Sequence, residues 1–99
     1  MTRKKIDSEK AIERKLREEV EKANGLCVKM QCDFFSGLPD RLVLLPEGKH
    51  IFVELKTTGQ KPRPIQVYVH KLLRDIGHTV EVIDTLEGVQ QFIEQYVRH

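Results

Sequence analysis

Apolar residues recur every three or four positions in three stretches of the chain, which is typical of amphipathic helices. The first stretch, about residues 8–24, begins at Ser8, a residue suited to cap a helix N-terminus, and Gly25 follows it. The second covers about residues 65–76, and the third follows Thr85, another capping residue. The pattern predicts a helix in each of these places.

Shorter apolar stretches rich in Val, Ile, Leu and Phe predict four strands, at about residues 26–31, 41–45, 50–57 and 79–83. A Pro-Glu-Gly-Lys turn joins the second to the third, so these two should form an antiparallel hairpin. The helix between the third and fourth strands implies a right-handed crossover to a parallel neighbour. The order helix, three strands, helix, strand, helix therefore predicts an α/β fold, with a mixed sheet flanked by helices.

Length and composition fit one small domain. Ninety-nine residues provide room for one core, so we expect a single domain over residues 1–99, with residues 1–7 as a frayed charged tail. No apolar run approaches the roughly 20 residues needed to cross a bilayer. The N-terminus shows no secretory signal, so a cytoplasmic protein without a membrane partner is expected. The net charge of +2 permits nucleic-acid binding without arguing for it.

The spacing of cysteine and histidine argues against a zinc site. The chain has two cysteines, Cys27 and Cys32, and four scattered histidines, without a second cysteine pair or an HxxxH spacing. Without an export signal, a disulfide framework is not expected either. Both cysteines are therefore interpreted as reduced thiols on or beside a strand.

The two strands in the middle of the chain carry the candidate chemistry. Glu54 and Lys56 are two residues apart on the third strand, so both side chains point to one face while Leu55 points to the other. Burying such charges on an otherwise apolar strand is costly unless something offsets the lost hydration. Asp40 begins the preceding strand and should lie near Glu54 if the hairpin pairs as predicted.

The predicted proximity of Asp40 and Glu54 favours a divalent cation, because carboxylates held close together repel. The two side chains would supply oxygen ligands, and the backbone carbonyl of Leu55 and water molecules would complete an octahedron. Such an ion lowers the pKa of a bound water and polarises a phosphoryl group. Lys56 would orient the water or stabilise charge on the phosphate. This pattern suits phosphodiester hydrolysis, and the alternative is a structural cross-strand ion pair.

Two motifs carry a resemblance to a known family: a Gly-x-Pro-Asp-Arg run, and the strand Phe-Val-Glu-Leu-Lys that follows it. The matching positions are Glu9, Gly37, Pro39, Asp40, Arg41, Phe52, Val53, Glu54, Leu55, Lys56, Gly59 and Gln66. The motifs resemble the PD-(D/E)xK nuclease superfamily and, over about residues 8–92, its VRR-NUC branch. The resemblance implies a restriction-endonuclease-like αβββαβα fold with a central four-stranded sheet, and stand-alone domains of this length are typical of phages and bacteria.

The resemblance implies a role for each matching polar residue. The three core positions correspond to two metal ligands and the catalytic lysine, namely Asp40, Glu54 and Lys56. Glu9 would bind a metal-linked water or a second ion, and Glu13, one turn later on the same helix face, competes for that role. Gln66, at the start of the second helix, would be a catalytic-site residue beside them.

The function implied is a DNA endonuclease that depends on Mg²⁺ or Mn²⁺, acting in a bacterial or phage-infected cell. Relatives include junction-cleaving and structure-specific nucleases, so branched or flapped DNA or a Holliday junction is the expected substrate. Cutting two strands needs two sites, so a homodimer is expected. Four basic residues are candidates to contact phosphates near the site: Lys29, Arg41, Lys61 and Arg63.

Two alternatives from other functional classes stay open. One is a non-catalytic nucleic-acid-binding module, a nuclease fold that has lost its activity. The other is an accessory subunit of a replication or recombination complex, which cuts only with a partner protein. The complete set of Asp40, Glu54 and Lys56 argues against the first, and a cleavage assay separates them.

Overall fold

The computed structural model describes residues 5–98, which form three α-helices and four β-strands. In chain order they are α1 (Glu9–Lys22), β1 (Leu26–Lys29), β2 (Arg41–Leu44), β3 (His50–Leu55), α2 (Pro64–Asp75), β4 (Val80–Ile83) and α3 (Leu86–Phe92). A 3-10 turn, Pro46–Gly48, joins β2 to β3, and a π-helical turn, Ile93–Val97, extends α3. None of these described helices is both long enough and apolar enough to span a bilayer.

The four strands form one mixed sheet in the order β1-β2-β3-β4. β1 pairs antiparallel with β2, and β2 pairs antiparallel with β3, with Val43 opposite Ile51. β3 and β4 run parallel, with Glu54 opposite Val82, and α2 makes the crossover between them. The predicted hairpin, parallel pair and α/β fold class are confirmed.

β3 ends at Leu55, before the predicted end at residue 57. The Lys56 amide still donates to the Ile83 carbonyl at 3.0 Å, but the Thr58 amide donates to the Asp7 carbonyl at 3.1 Å. The strand stops here because the N-terminal segment, rather than a neighbouring strand, provides the next hydrogen-bond acceptor.

The core lies between one face of the sheet and the helices α1 and α3. Ile12, Leu16 and Val20, at helical spacing on α1, have no exposed surface. Alternate residues of β3 point into the same core, namely Ile51, Val53 and Leu55. Burying an apolar side chain of this size contributes about 1.5–3 kcal/mol, so this face supplies the main apolar contribution to stability.

The segment before α1 is docked on the fold at Asp7. This residue is 8% exposed, its amide donates to Thr58 Oγ1 at 2.9 Å, and its Oδ2 accepts a hydrogen bond from the Leu86 amide at 2.8 Å. The expectation of a frayed tail over residues 1–7 is therefore wrong at Asp7, because the carboxylate caps the start of α3. The part of that expectation that concerns residues 1–4 lies outside the described residues.

Candidate active site

Asp40 lies directly before β2 and is fixed by neighbouring backbone and side-chain groups. Its Oδ1 accepts a hydrogen bond from the Leu55 amide at 3.1 Å. Its carbonyl accepts hydrogen bonds from the Met30 amide and from Arg41 Nη1, each at 2.9 Å. The side chain is 28% exposed. The carboxylate is therefore anchored at the end of the sheet while it stays reachable from solvent.

Gly37 allows the loop before Asp40 to pass closely against α2. Its φ is +92°, and a Cβ at this position would lie 2.7 Å from the Ile65 carbonyl oxygen and 2.8 Å from Val69 Cγ2. Any other residue would strain the backbone and clash with the helix. The glycine of the Gly-x-Pro-Asp run thus keeps the Asp40 loop packed against α2.

Glu54 carries a buried carboxylate on the sheet face that points away from the core. The residue is 2% exposed. Lys56 Nζ lies 3.4 Å from Glu54 Oε2, and the lysine side chain is 17% exposed. Gln66 Nε2 donates to the same oxygen at 3.2 Å, and Gln66 Oε1 accepts a hydrogen bond from the Arg63 amide at 2.8 Å. The structure therefore brings Glu54, Lys56 and Gln66 together, with Gln66 joining the start of α2 to the carboxylate.

The acidic groups of the site disfavour one another's ionisation. Burial raises the pKa of Glu54, and the Asp40 charge raises it further, against the opposing effect of Lys56. Burial also raises the pKa of Asp40, although the hydrogen bond from Leu55 opposes this shift. The Glu9 charge raises the pKa of both carboxyls. A cation bound among these groups would favour their charged forms.

The structure distinguishes the two acids of α1 that the sequence left in competition. The Glu9 amide donates to Thr57 Oγ1 at 3.2 Å, which holds the start of α1 against the loop after β3. Glu13 instead pairs with Arg17, whose Nε lies 3.3 Å from Glu13 Oε1. Of the two acids, Glu9 is the one whose charge raises the pKa of Asp40 and Glu54.

The basic residues expected to contact phosphates lie in two different environments. Lys29, Lys61 and Arg63 are exposed, as a polyanion would require. Arg41 is only 8% exposed and donates to the Asp40 carbonyl. The Arg41 guanidinium is therefore engaged with the neighbouring residue, and its contact with phosphates stays a prediction.

His70 is a residue of this site that the sequence analysis missed. It is 2% exposed, and its Nε2 lies 3.6 Å from Glu54 Oε1. The signal available in the sequence was its position four residues after Gln66, which places both side chains on one face of α2. A helix that directs Gln66 towards the carboxylates directs His70 there as well.

The donor set fits a hard divalent cation. Within residues 5–98, no group of three His, Cys, Asp or Glu side chains is arranged to hold an ion by itself. Asp40 and Glu54 provide two carboxylates, and the peptide group of Leu55 lies beside them because its amide binds Asp40. Mg²⁺ is commonly held by one or two carboxylates and keeps several water molecules. The residues present therefore match such an ion.

A surface cavity of about 420 Å³ lies at the other end of β3. Its lining includes Lys49, His50, Thr79 and Tyr96, but none of the carboxylates described above. Glu54 is four residues along the strand from His50, which corresponds to about 13 Å. The cavity is therefore separate from the carboxylate site.

Comparisons with known proteins relate the chain to nucleases. No family model matches the chain. Over 77 residues, 78% of its length, the chain is 47% identical to "Putative nuclease p44" from Acyrthosiphon pisum secondary endosymbiont phage 1, and the match covers 83% of that protein. It is also similar to a solved structure described as "VRR_NUC domain", with a TM-score of 0.83, 34% sequence identity and coverage of 91% of this chain and 99% of the other.

Proposed function

Because the chain belongs to the VRR-NUC family of nucleases, we propose that it is an endonuclease that hydrolyses DNA phosphodiester bonds with Mg²⁺ or Mn²⁺. The observation that carries the proposal is the grouping of the Asp40 and Glu54 carboxyls, whose pKa values are raised by burial, with a lysine Nζ 3.4 Å from Glu54 Oε2. Buried carboxylates without a cation are costly. Nucleases of the PD-(D/E)xK type generally use divalent metals, which supports the proposed dependence on Mg²⁺ or Mn²⁺.

In this proposal Asp40 and Glu54 hold the cation, and the Leu55 carbonyl and water molecules complete its coordination. When bound, the ion supplies an activated water and neutralises charge on the phosphoryl group. Glu9, whose charge acts on both carboxyls, binds a water of this ion or a second ion. Gln66 keeps the Glu54 carboxylate in place through its hydrogen bond to Oε2.

Lys56 acts electrostatically on the attacking water or on the phosphate. Its side chain is 17% exposed and is held beside Glu54, so the ammonium is partly shielded from solvent. An ammonium is a hydrogen-bond donor without an acceptor. A fixed donor in such a place stabilises the negative charge that grows on the phosphoryl oxygens in the transition state.

The substrate that we favour is branched, flapped or junction DNA, cut by a homodimer that presents two sites. The exposed side chains of Lys29, Lys61 and Arg63 would contact its phosphates. Large apolar side chains are exposed on β1 and α2, and in the proposed dimer a second copy of the chain would cover such surface. They are Leu26, Val28, Ile65, Val67, Tyr68 and Leu72. A bacterial or phage-infected cytoplasm would be the setting.

A cleavage assay tests the activity and the substrate together. Purified chain is incubated with labelled duplex, flap and four-way-junction DNA in Mg²⁺, in Mn²⁺ and in EDTA. We expect metal-dependent cutting, strongest on the branched substrates. Metal-independent cutting would contradict the cofactor, and binding of DNA without any cutting would favour the non-catalytic module. Cutting that appears only after phage or host extract is added would favour the accessory subunit.

Two further measurements test the metal site and the oligomeric state independently. Asp40→Asn should lose most of the rise in melting temperature that Mn²⁺ gives the wild type, because the ion binds only the folded site. A rise as large as that of the wild type would remove Asp40 from the ligands. Light scattering on the purified chain should give the mass of two copies, and a monomer at all concentrations would contradict the homodimer.

A further inference from the structure

Two buried polar atoms at the site face each other without a hydrogen-bond partner among the described residues. They are Glu54 Oε1 and His70 Nε2, 3.6 Å apart. Each side chain is 2% exposed, so water does not easily take the place of a partner. Buried polar atoms in native proteins are nearly always satisfied, and an unsatisfied pair calls for a specific explanation.

We propose that His70 is a positioning residue, whose Nε2–H holds Glu54 Oε1 so that the carboxylate is oriented to bind the cation. The proposal rests on the proposed function, because it takes Glu54 as a metal ligand. His70 itself is not placed in contact with the metal or the DNA. Its effect on the reaction passes through Glu54.

The geometry needs only a small adjustment to make this hydrogen bond. An N–H···O bond has a donor–acceptor distance of about 2.7–3.2 Å, so the 3.6 Å separation closes with a shift of a few tenths of an ångström. A neutral imidazole carries one N–H and can place it on Nε2.

Helix α2 then contacts both oxygens of one carboxylate. Gln66 Nε2 donates to Oε2 at 3.2 Å, and His70, one helical turn later, faces Oε1. Each carboxylate oxygen has two lone pairs, so the two contacts from α2 leave further lone pairs for a cation. Groups that orient a metal ligand in this way typically change metal affinity about 10–100-fold when they are removed.

Calorimetric titration of the full chain with Mn²⁺ tests the role directly. His70→Leu and His70→Asn should both weaken binding about 10–100-fold, because leucine has no donor and the asparagine amide is too short to reach Oε1. His70→Gln should recover most of the affinity, because its amide nitrogen falls near the position of Nε2. Melting temperatures in EDTA are measured beside the titrations, so that a loss of metal affinity is distinguished from a loss of the folded state.

The outcomes separate this inference from the proposed function. Mn²⁺ binding by His70→Leu and His70→Asn as tight as that of the wild type would overturn the positioning role and leave Asp40 and Glu54 as ligands. Equal weakening of Mn²⁺ binding in His70→Gln and His70→Asn would also overturn the positioning role. If His70→Leu does not fold, the comparison of these two variants decides the question. Failure of the wild type to bind Mn²⁺ would overturn both the proposed function and this inference.

Discussion

Near its C-terminal end, β3 is buried on both faces, but the two faces bury different kinds of side chain. Val53 and Leu55 point into the core and have no exposed surface, while Glu54 lies between them at 2% exposure on the opposite face. The core face buries hydrocarbon, which stabilises the fold. The other face buries a carboxyl whose pKa is raised by that burial. Buried groups with shifted pKa values cluster at functional sites, which makes this face of β3 the candidate for function.

The helices that cover the two faces differ in the same way. On the core side, α1 contributes apolar side chains such as Ile12 and Leu16. On the other side, α2 buries Val69 together with the polar residues Gln66 and His70. The core face could be repacked with other apolar residues of similar volume. The face that carries Glu54, here called the site face, depends on hydrogen-bond donors at fixed distances. We therefore expect substitutions on the core face to change stability and substitutions on the site face to change activity.

The largest effect on stability is expected at adjacent positions on the two faces. Leu55→Ala should lower the free energy of unfolding by about 2–5 kcal/mol, because it leaves a cavity in the core. Glu54→Gln should leave the metal-free value unchanged or raise it, since the amide fills the same space without a buried charge. Urea unfolding in EDTA measures both. A loss for Glu54→Gln as large as that for Leu55→Ala would contradict the comparison.

The second prediction concerns the rate of cleavage rather than the stability of the fold. Lys56→Ala should lower the cleavage rate about 10²–10³-fold, as expected for removal of one charge-stabilising donor, while metal and DNA binding change little. Single-turnover cleavage and DNA affinity are measured separately. Lys22→Ala, at the far end of α1 and 73% exposed, is the matched control and should keep the wild-type rate. Unchanged cleavage by Lys56→Ala would remove this lysine from the mechanism.

The pH dependence of stability should also come from the site face. Burial raises the pKa of Asp40 and Glu54 above their usual values, which are about 3.9 and 4.3 in unfolded chains. At a pH between the pKa of the unfolded chain and the raised pKa of the folded chain, the folded chain binds more protons than the unfolded chain. The free energy of unfolding therefore falls as pH rises through this range. In EDTA the wild type should therefore lose stability relative to Glu54→Gln as pH increases through this window. A difference in the free energy of unfolding between the two proteins that stays constant with pH would contradict this prediction.

The smallest effect is a difference in thiol reactivity. Cys27 packs against the core, and burial raises its pKa to about 11, whereas Cys32 lies exposed in the loop before β2. At pH 8 roughly one Cys27 thiol in a thousand is then ionised. Iodoacetamide should alkylate Cys32 first, as followed by peptide mass spectrometry. Equal rates at the two positions would show that the core face opens readily.

Periodicity and turn residues were sufficient to predict the helices and strands, the β2–β3 hairpin and the parallel β3–β4 pair. Ser8 caps α1 as expected, since its Oγ accepts a hydrogen bond from the Ala11 amide at 3.1 Å. The predicted hairpin and crossover bring Asp40, Glu54 and Lys56 to one end of the sheet. These features depend on the spacing of apolar, capping and turn residues close to one another in the chain, which the sequence shows directly.

The features that were missed depend on contacts between distant parts of the chain. Asp7 meets Thr58 and Leu86, which lie 51 and 79 residues away. The burial of Arg41 and the distance from His70 to Glu54 depend on how the helices pack on the sheet, although the spacing of His70 from Gln66 indicates their shared face of α2. Each missed residue is polar and buried, so its environment is decided by its partners rather than by its own hydropathy.

The hydrogen bond from Leu86 to Asp7 also links two parts of the chain that lie 79 residues apart. The donor begins α3, and the acceptor lies in the segment before α1. That segment leads directly into Glu9, which the Thr57 hydroxyl holds beside the loop after β3. A substitution that removes the Asp7 carboxylate should therefore disturb the start of α3 and the position of Glu9 together.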